Sequence, residues 1–125
     1  PGLNSRGCMV WDEARWNRPL HDYHRELIAL RRRSPALQRG GFQLLLGEED
    51  TIAYQRDSAT DRVLVFAHRG ETPRPAGPVS LHDAGVADGA RFIDVLSGQE
   101  HQVRDGALPL PEMAQGAIIL QQLPA

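Results

Sequence analysis

The amino-acid sequence predicts a mainly β fold: an antiparallel, Greek-key-like β-sandwich of about eight strands, preceded by one amphipathic α-helix. Three observations support this prediction. One stretch of apolar residues at helical spacing lies in the first third of the chain. The remainder contains short apolar stretches separated by turns, at intervals typical of an antiparallel sandwich. Twelve glycines and nine prolines favour many turns over a helix bundle.

The helix is predicted from Arg18 to Arg33. Asn17 is a suitable N-cap, and Pro19 lies in the first turn, where its missing N–H costs little. Ser34-Pro35 is expected to end the helix, because the residue before a proline avoids the α conformation. The apolar residues of one face are Leu20, Tyr23, Leu27, Ile28 and Leu30. Since a lone helix cannot bury this face, we expect it to pack on the sandwich or on a part of the protein that lies upstream.

Eight strands are predicted after Gly40-Gly41, where the apolar spacing changes to period two. Their predicted ranges are Phe42–Leu46, Thr51–Arg56, Arg62–Arg69, Val79–Leu81, Arg91–Leu96, Glu100–Arg104, Leu108–Leu110 and Gly116–Leu123. The third is expected at the centre of a sheet, because both of its faces are apolar. Four aromatic residues occupy patterns that predict core positions: Phe42, Tyr54, Phe66 and Phe92.

Composition and charge exclude several classes of protein. Fourteen basic and sixteen acidic residues give a net charge of -2, so there is no basic excess to bind a phosphate backbone, and no nucleic-acid partner is expected. No apolar run approaches the roughly 18 residues of a membrane helix, so no membrane partner is expected. The single Cys8 excludes an internal disulfide and, with no visible signal peptide, favours a cytoplasmic location. Because the sequence begins at Pro1 rather than methionine, we expect a processed chain or a fragment.

No catalytic constellation is visible. Glycoside hydrolysis needs two carboxylates, one of them kept protonated. The loop carboxylates are expected to be solvated turn residues; they are Asp12, Glu13, Glu48, Glu49, Asp50, Asp57 and Asp61. Asp94 is expected to be a hydrogen-bonded structural group, and His21 and His24 form a surface pair without a third metal ligand. We therefore predict no catalytic residue, no metal and no cofactor, which is typical of a binding or supporting module.

The first third of the chain nevertheless carries a recognisable pattern. The segment Arg6-Gly7-Cys8-Met9-Val10-Trp11-Asp12-Glu13 resembles the Arg-x-x-Met-x-Trp-Asp segment of the α-amylase superfamily. The similarity continues through residues 27–32, 34–37 and 40, in the order found at the end of a catalytic (β/α)8 barrel and its last helix. The β part resembles the C-terminal domain of the family at residues 63–66, 94–98 and 116–120. The pattern is most similar to the neopullulanase, cyclomaltodextrinase and maltogenic amylase group.

This resemblance implies that the chain is the C-terminal part of a longer, retaining α-glucan-acting glycosidase. Residues 1–36 would end the catalytic barrel and residues 37–125 would form the C-terminal β-sandwich. The catalytic carboxylates lie upstream in the family, so the implied partners are the barrel of the same parent chain and its α-glucan substrate. Arg6 stands at the arginine of the motif and is an implied substrate contact, although Gly2 and Leu3 replace the usual Asp-Pro pair.

Several alternatives remain open at this point. Trp11 is expected to pack at the junction of loop and helix, with stacking on a sugar as its other role. A carbohydrate-binding module would need aromatic platforms, of which the β part offers few. A related transglycosylase, such as a glucanotransferase or a trehalose synthase, would carry the same C-terminal part. The exposed apolar face of the helix also predicts a homodimer of the isolated chain.

Overall fold

The computed structural model describes residues 7–125, and the chain divides into two compact units after Arg33. The first unit contains a 3₁₀ turn at Glu13–Arg15 and helix α1 at Arg18–Arg33. The second unit contains a short helix α2 at Pro35–Arg39, followed by eight strands. The strands are β1 Gly41–Gly47, β2 Thr51–Asp57, β3 Arg62–His68, β4 Gly77–Ser80, β5 Arg91–Asp94, β6 Glu100–Gln102, β7 Ala107–Leu110 and β8 Gly116–Gln122.

Helix α1 has the bounds that the sequence predicts, but helical structure resumes immediately after it. The Asn17 side chain accepts a hydrogen bond from the Leu20 N–H at 3.1 Å, which is the expected N-cap contact. Ser34 adopts an extended conformation that ends α1, and its hydroxyl accepts from the Leu37 N–H at 3.2 Å. Pro35 is the first residue of α2. A backbone N–H at this position would have no acceptor within the helix, so proline costs no hydrogen bond there. The serine-proline pair therefore separates two helices instead of ending all helical structure.

The eight strands form two antiparallel sheets. The larger sheet has the order β1-β2-β3-β8-β5-β6, and β4 and β7 form the smaller one. The prediction of a mainly antiparallel β fold with about eight strands after one main helix is confirmed. As expected, β3 is central, and its residues Val63 to Phe66 are all buried. One apolar core joins the two sheets through Ala53, Leu64, Phe66, Val79, Leu81, Phe92, Val103, Leu108, Leu110, Met113 and Leu120.

Three side chains of the larger sheet fix the turn at His82–Ala84, which lies between β4 and β5. The side-chain amide of Gln43 on β1 donates to the carbonyl of residue 83 at 2.7 Å. Gln55 on β2 donates to the next carbonyl at 3.1 Å, and Arg62 on β3 donates to the third at 3.2 Å. Each of three adjacent strands thus provides one side-chain donor, and the three donors bind three successive carbonyl groups.

Candidate functional site

The first unit contains an open, mostly apolar cleft of about 690 Å³. Its lining residues are Gly7, Cys8, Met9, Val10, Trp16, Asn17, Leu20, His21 and His24. The Trp16 indole N–H donates to the Val10 carbonyl at 2.6 Å, and its ring centre lies 5.4 Å from that of His21. The Arg18 guanidinium carbon also lies 5.4 Å from the Trp16 ring centre, in cation–π range. Trp16 therefore fixes the loop before α1 to the start of that helix.

The sequence suggests Arg6 and Trp11 as substrate contacts. Arg6 lies outside the described residues. Trp11 is 78% exposed and does not pack at the junction of loop and helix as expected, because Trp16 occupies that position. An indole this exposed is suited to stacking on a sugar ring or to packing against another protein surface.

The apolar face of α1 is the second exposed feature of this unit. Leu20 and Ile28 are 52% and 56% exposed, and Tyr23 is also exposed, whereas Leu30 is buried. The partial exposure that the sequence predicts for the isolated chain is thus observed. We call Leu20, Tyr23 and Ile28 the helix stripe. Exposed apolar side chains on one helix are typical of surfaces that associate with another protein.

The two histidines of α1 do not form a metal centre. His24 Nδ1 lies 2.8 Å from the Leu20 carbonyl, and His21 Nδ1 lies 3.2 Å from a carboxylate oxygen of Asp22. Within residues 7–125 no group of three or more histidine, cysteine or acidic side chains is arranged to hold a metal ion. In the same part of the chain, no helix has the length and apolar character needed to cross a membrane.

Two of the three acidic residues of the β1–β2 turn form ion pairs. The Arg74 guanidinium donates to both carboxylate oxygens of Glu48, at 2.9 and 3.0 Å, and Arg69 donates to Asp50 at 3.0 Å. Hydrogen bonding from Arg74 lowers the pKa of Glu48 below its ordinary value, against a smaller opposing effect of desolvation. Glu48 is therefore held ionised, which is the opposite of what a general acid in glycoside hydrolysis requires.

Asp61 has a structural role, contrary to the solvated turn residue expected from the sequence. One carboxylate oxygen accepts hydrogen bonds from the Ser34 hydroxyl and, at 3.4 Å, from the Ala36 N–H. The other oxygen accepts from the Gln121 side-chain amide at 2.9 Å. The reason for the difference is that the turn before β3 lies against the start of α2 and the end of β8, two segments that are distant in sequence.

Asp94 is the structural group that the sequence predicts. It is buried and accepts hydrogen bonds from the Leu96 N–H at 3.0 Å and from the Ser97 hydroxyl at 2.6 Å. These contacts form the turn between β5 and β6. Both carboxylate oxygens are thus engaged within a local turn and have no geometry suited to attack or protonation of a substrate.

An apolar patch on the larger sheet was not predicted. Phe66 and Phe92 are buried as expected, but Phe42 is 63% exposed, and Tyr54 is only half-buried. The rings of Phe42 and Tyr54 lie 5.2 Å apart, and exposed Leu44 and Ile52 extend the surface; we call these four residues the sheet patch. The core prediction is wrong for Phe42 and Tyr54 because alternate residues of a strand face opposite sides of a sheet. On β1, Gln43 faces the turn at residues 82–84, so Phe42 and Leu44 face the other side, and Tyr54, which pairs with Leu44, faces that side as well.

The polar surroundings of the sheet patch are already engaged. Arg56, which pairs with Phe42 across the strands, donates to the carbonyl groups of Gly40 and Gly41 at 2.9 and 2.8 Å. Sugar-binding sites combine an aromatic face with side chains that hydrogen-bond the hydroxyl groups. The sheet patch provides the first of these features, and its nearest cation is directed to the backbone.

Comparison with known proteins relates the chain to cyclomaltodextrinases and a neopullulanase. No protein-family model matches it. A cyclomaltodextrinase of Geobacillus thermopakistaniensis is 29% identical over 93 residues, which cover 70% of this chain and 16% of that protein. Neopullulanase 2 of Thermoactinomyces vulgaris is 30% identical over 108 residues, which cover 84% of this chain and 18% of that protein. The chain thus spans less than a fifth of the length of these relatives.

Solved structures give the same relationship at the level of the fold. The α-amylase of Geobacillus thermoleovorans, complexed with acarbose, superposes on 93% of this chain and 25% of its own, with a TM-score of 0.78 and 14% identity. The resemblance to the cyclomaltodextrinase and neopullulanase group is confirmed, since homologues with these names cover most of the chain.

Proposed function

We propose that this chain is the C-terminal part of a longer α-glucan-acting glycoside hydrolase, which it supports without supplying catalytic carboxylates. The observation that carries this proposal is the coverage of the homologues: most of this chain, but only 16–18% of each relative. In the parent, residues 1–36 end the catalytic barrel and residues 37–125 form the C-terminal sandwich. The parent performs retaining hydrolysis of α-glucosidic bonds in its upstream part.

The state of the carboxylates supports a non-catalytic role for this chain. Glu48, Asp61 and Asp94 each bind groups that stabilise the β fold. Retaining hydrolysis needs a nucleophile and a protonated acid about 5 Å apart on either side of the bond. The lowered pKa of Glu48 works against the protonated state. The isolated chain should therefore release no sugar from maltotriose or β-cyclodextrin.

The helix stripe supports a protein partner for α1. In the parent we assign this partner to the catalytic barrel, with Trp11 packing on the barrel or stacking on the α-glucan, and with Arg6 in contact with the substrate. In the isolated chain the same stripe mediates a homodimer, because burial of apolar surface yields about 25 cal/mol per Å². The cytoplasmic location expected from the sequence belongs to the same proposal and is checked by fractionating cells that express the parent.

Matched lysine substitutions on α1 test this role of the stripe. Ile28→Lys places a charge within the stripe, whereas Ala29→Lys adds the same charge at the next exposed position of the helix. In the parent enzyme we expect Ile28→Lys to lower thermal stability and cyclodextrin hydrolysis, and Ala29→Lys to leave both near the wild type. Equal effects of the two substitutions would contradict docking through the stripe.

A carbohydrate-binding module is the second candidate, and the exposed ring pair of Phe42 and Tyr54 is the observation that favours it. Aromatic pairs of this kind stack on sugar rings. Retention of the isolated chain on a starch gel, with loss of retention in Phe42→Ala, would support this function. Passage through the gel without delay would leave the sheet patch as a protein-contact surface.

A further inference from the structure

Two Asp-Gly pairs occur in the second unit, Asp88-Gly89 before β5 and Asp105-Gly106 before β7. In such a pair the backbone nitrogen of the glycine can attack the carboxyl carbon of the aspartate, and glycine has no Cβ to obstruct the approach. The contacts that the two glycine nitrogens make in the fold therefore decide where this chain can rearrange.

The pair Asp105-Gly106 forms the whole of a two-residue turn. Arg104 and Ala107 exchange backbone hydrogen bonds of 2.9 and 3.0 Å on either side of it. Asp105 and Gly106 have φ angles of 51° and 71°, the positive values that a tight type I′ turn requires. The two bonds that close the turn do not use the Gly106 N–H, which needs an acceptor from elsewhere.

Asp88 supplies this acceptor from the loop between β4 and β5. Its carboxylate accepts a hydrogen bond from the Gly106 N–H at 3.2 Å, although the two residues are 18 positions apart. The Gly89 N–H is held separately, because it donates to the Val103 carbonyl at 2.9 Å. One hydrogen bond thus joins the carboxyl group of the first Asp-Gly pair to the nitrogen of the second.

We propose that Asp105-Gly106 is a latent isoaspartate site, which the Asp88 carboxylate keeps from reacting. In this reaction the Gly106 nitrogen loses its proton and bonds to Asp105 Cγ, while the Cγ–OH bond of the protonated carboxyl group breaks and one water molecule leaves. Water then opens the resulting five-membered imide. Opening at Cγ restores aspartate, whereas opening at the backbone carbonyl leaves the chain linked through Cγ, which is isoaspartate.

The restraint follows from the contact between Asp88 and Gly106. Ring closure needs the Gly106 nitrogen to give up its proton and to approach Asp105 Cγ. The hydrogen bond to Asp88 fixes the peptide group through the same N–H, so this bond must break first. Isoaspartate makes the backbone one carbon atom longer across the turn, which should weaken the bonds between Arg104 and Ala107. Because every group involved lies in the second unit, the inference does not depend on the proposed function.

The test follows isoaspartate formation in the folded full chain, kept warm at mildly acidic pH, where a fraction of carboxyl groups is protonated. Trypsin cleaves after Arg91 and Arg104, so the two Asp-Gly pairs fall in different peptides, and chromatography with mass spectrometry separates isoaspartate from aspartate in each. Asp88→Ala should raise the rate at residue 105 by about fivefold, the factor that corresponds to the loss of one hydrogen bond. Asp83→Ala removes an exposed aspartate from the same loop and is the matched control, which should keep the wild-type rate.

Asp88→Asn separates the hydrogen bond from the charge, because its amide oxygen can still accept from the Gly106 N–H. This variant should keep the slow rate at residue 105, and the Gly106 amide should exchange its hydrogen faster only in Asp88→Ala. A rate in Asp88→Ala equal to that of the wild type would overturn the proposal, and so would a lower rate, which would show that the carboxylate acts as a base for the attack. Equal acceleration in Asp88→Asn and Asp88→Ala, with both chains folded, would overturn it as well.

Discussion

Asp61 connects three parts of the second unit, and its removal gives the sharpest stability prediction. Its carboxylate binds the Ser34 hydroxyl and the Ala36 N–H at the start of α2, and the Gln121 amide on β8. Ser34 is fully buried, so its hydroxyl depends on this carboxylate as its hydrogen-bond acceptor. Asp61→Ala therefore detaches the start of α2 from the turn that precedes β3.

The magnitude follows from the burial of each partner. A buried hydroxyl left without its acceptor costs about 1–3 kcal/mol. The half-buried amide of Gln121 can turn to water, so its hydrogen bond adds only about 0.5–1 kcal/mol. We expect Asp61→Ala to lower the free energy of unfolding by about 3 kcal/mol. Ser34→Ala removes the N-cap of α2 and should cost about 1–2 kcal/mol.

A double-mutant cycle in urea, followed by far-ultraviolet circular dichroism, measures the coupling between the two side chains. Because they share one hydrogen bond, the double variant should be less destabilised than the sum of the single variants, by about 1–2 kcal/mol. Glu49→Ala removes an exposed loop carboxylate and should change the free energy of unfolding by less than about 0.5 kcal/mol. Additive effects of Asp61→Ala and Ser34→Ala would refute the role assigned to this contact.

Three further predictions concern packing and charge. Gly40→Ala should lower the free energy of unfolding in a thermal or urea melt by about 3 kcal/mol or more, because a Cβ there would lie 2.4 and 2.5 Å from two backbone oxygens. Gly77→Ala is the control, because a Cβ at residue 77 would lie in open space. Phe66→Ala should cost about 3–5 kcal/mol and Phe42→Ala less than about 0.5 kcal/mol, because the first ring is buried and the second exposed. Because the pKa of Glu48 is lowered, its ion pair stabilises the fold fully above the ordinary pKa of 4.5, and this stabilisation is lost as pH falls through the lowered pKa. Glu48→Gln should therefore make the free energy of unfolding less sensitive to acid. The difference should be less than about 1 kcal/mol, because the pair is half-exposed.

Each of these predictions has a contrary result. Equal melting temperatures for Gly40→Ala and Gly77→Ala would mean that the backbone yields at residue 40. A cost above about 2 kcal/mol for Phe42→Ala would mean that the sheet patch is covered in solution. An unchanged pH profile for Glu48→Gln would show that its ion pair contributes nothing measurable.

Periodicity predicts the elements of this fold well, because each depends on residues that are close in sequence. Helix α1 follows from its N-cap and apolar spacing, and central β3 follows from a run that is apolar on both faces. The short helix α2 escapes prediction because Ser34-Pro35 is a signal both for ending a helix and for starting one. Alternation along β1 shows that its faces differ, but does not show which face the rest of the protein covers.

The candidate sites are harder to predict, because their contacts join distant segments. Asp61 meets Ser34 across 27 positions and Gln121 across 60. Gln43 reaches a carbonyl 40 positions away, so a glutamine that looks like a surface residue in the sequence holds a turn of the core. No local pattern contains these pairings, because the residues of each pair come together only in the folded chain.

Calorimetric titration of the folded chain with maltotriose and β-cyclodextrin tests whether this chain supports an α-glucan-acting enzyme and binds no sugar in the absence of the parent barrel. We expect no heat of binding across the millimolar range. Saturable heat that is lost on Trp11→Ala or Phe42→Ala would contradict this expectation and would assign a sugar site to this chain.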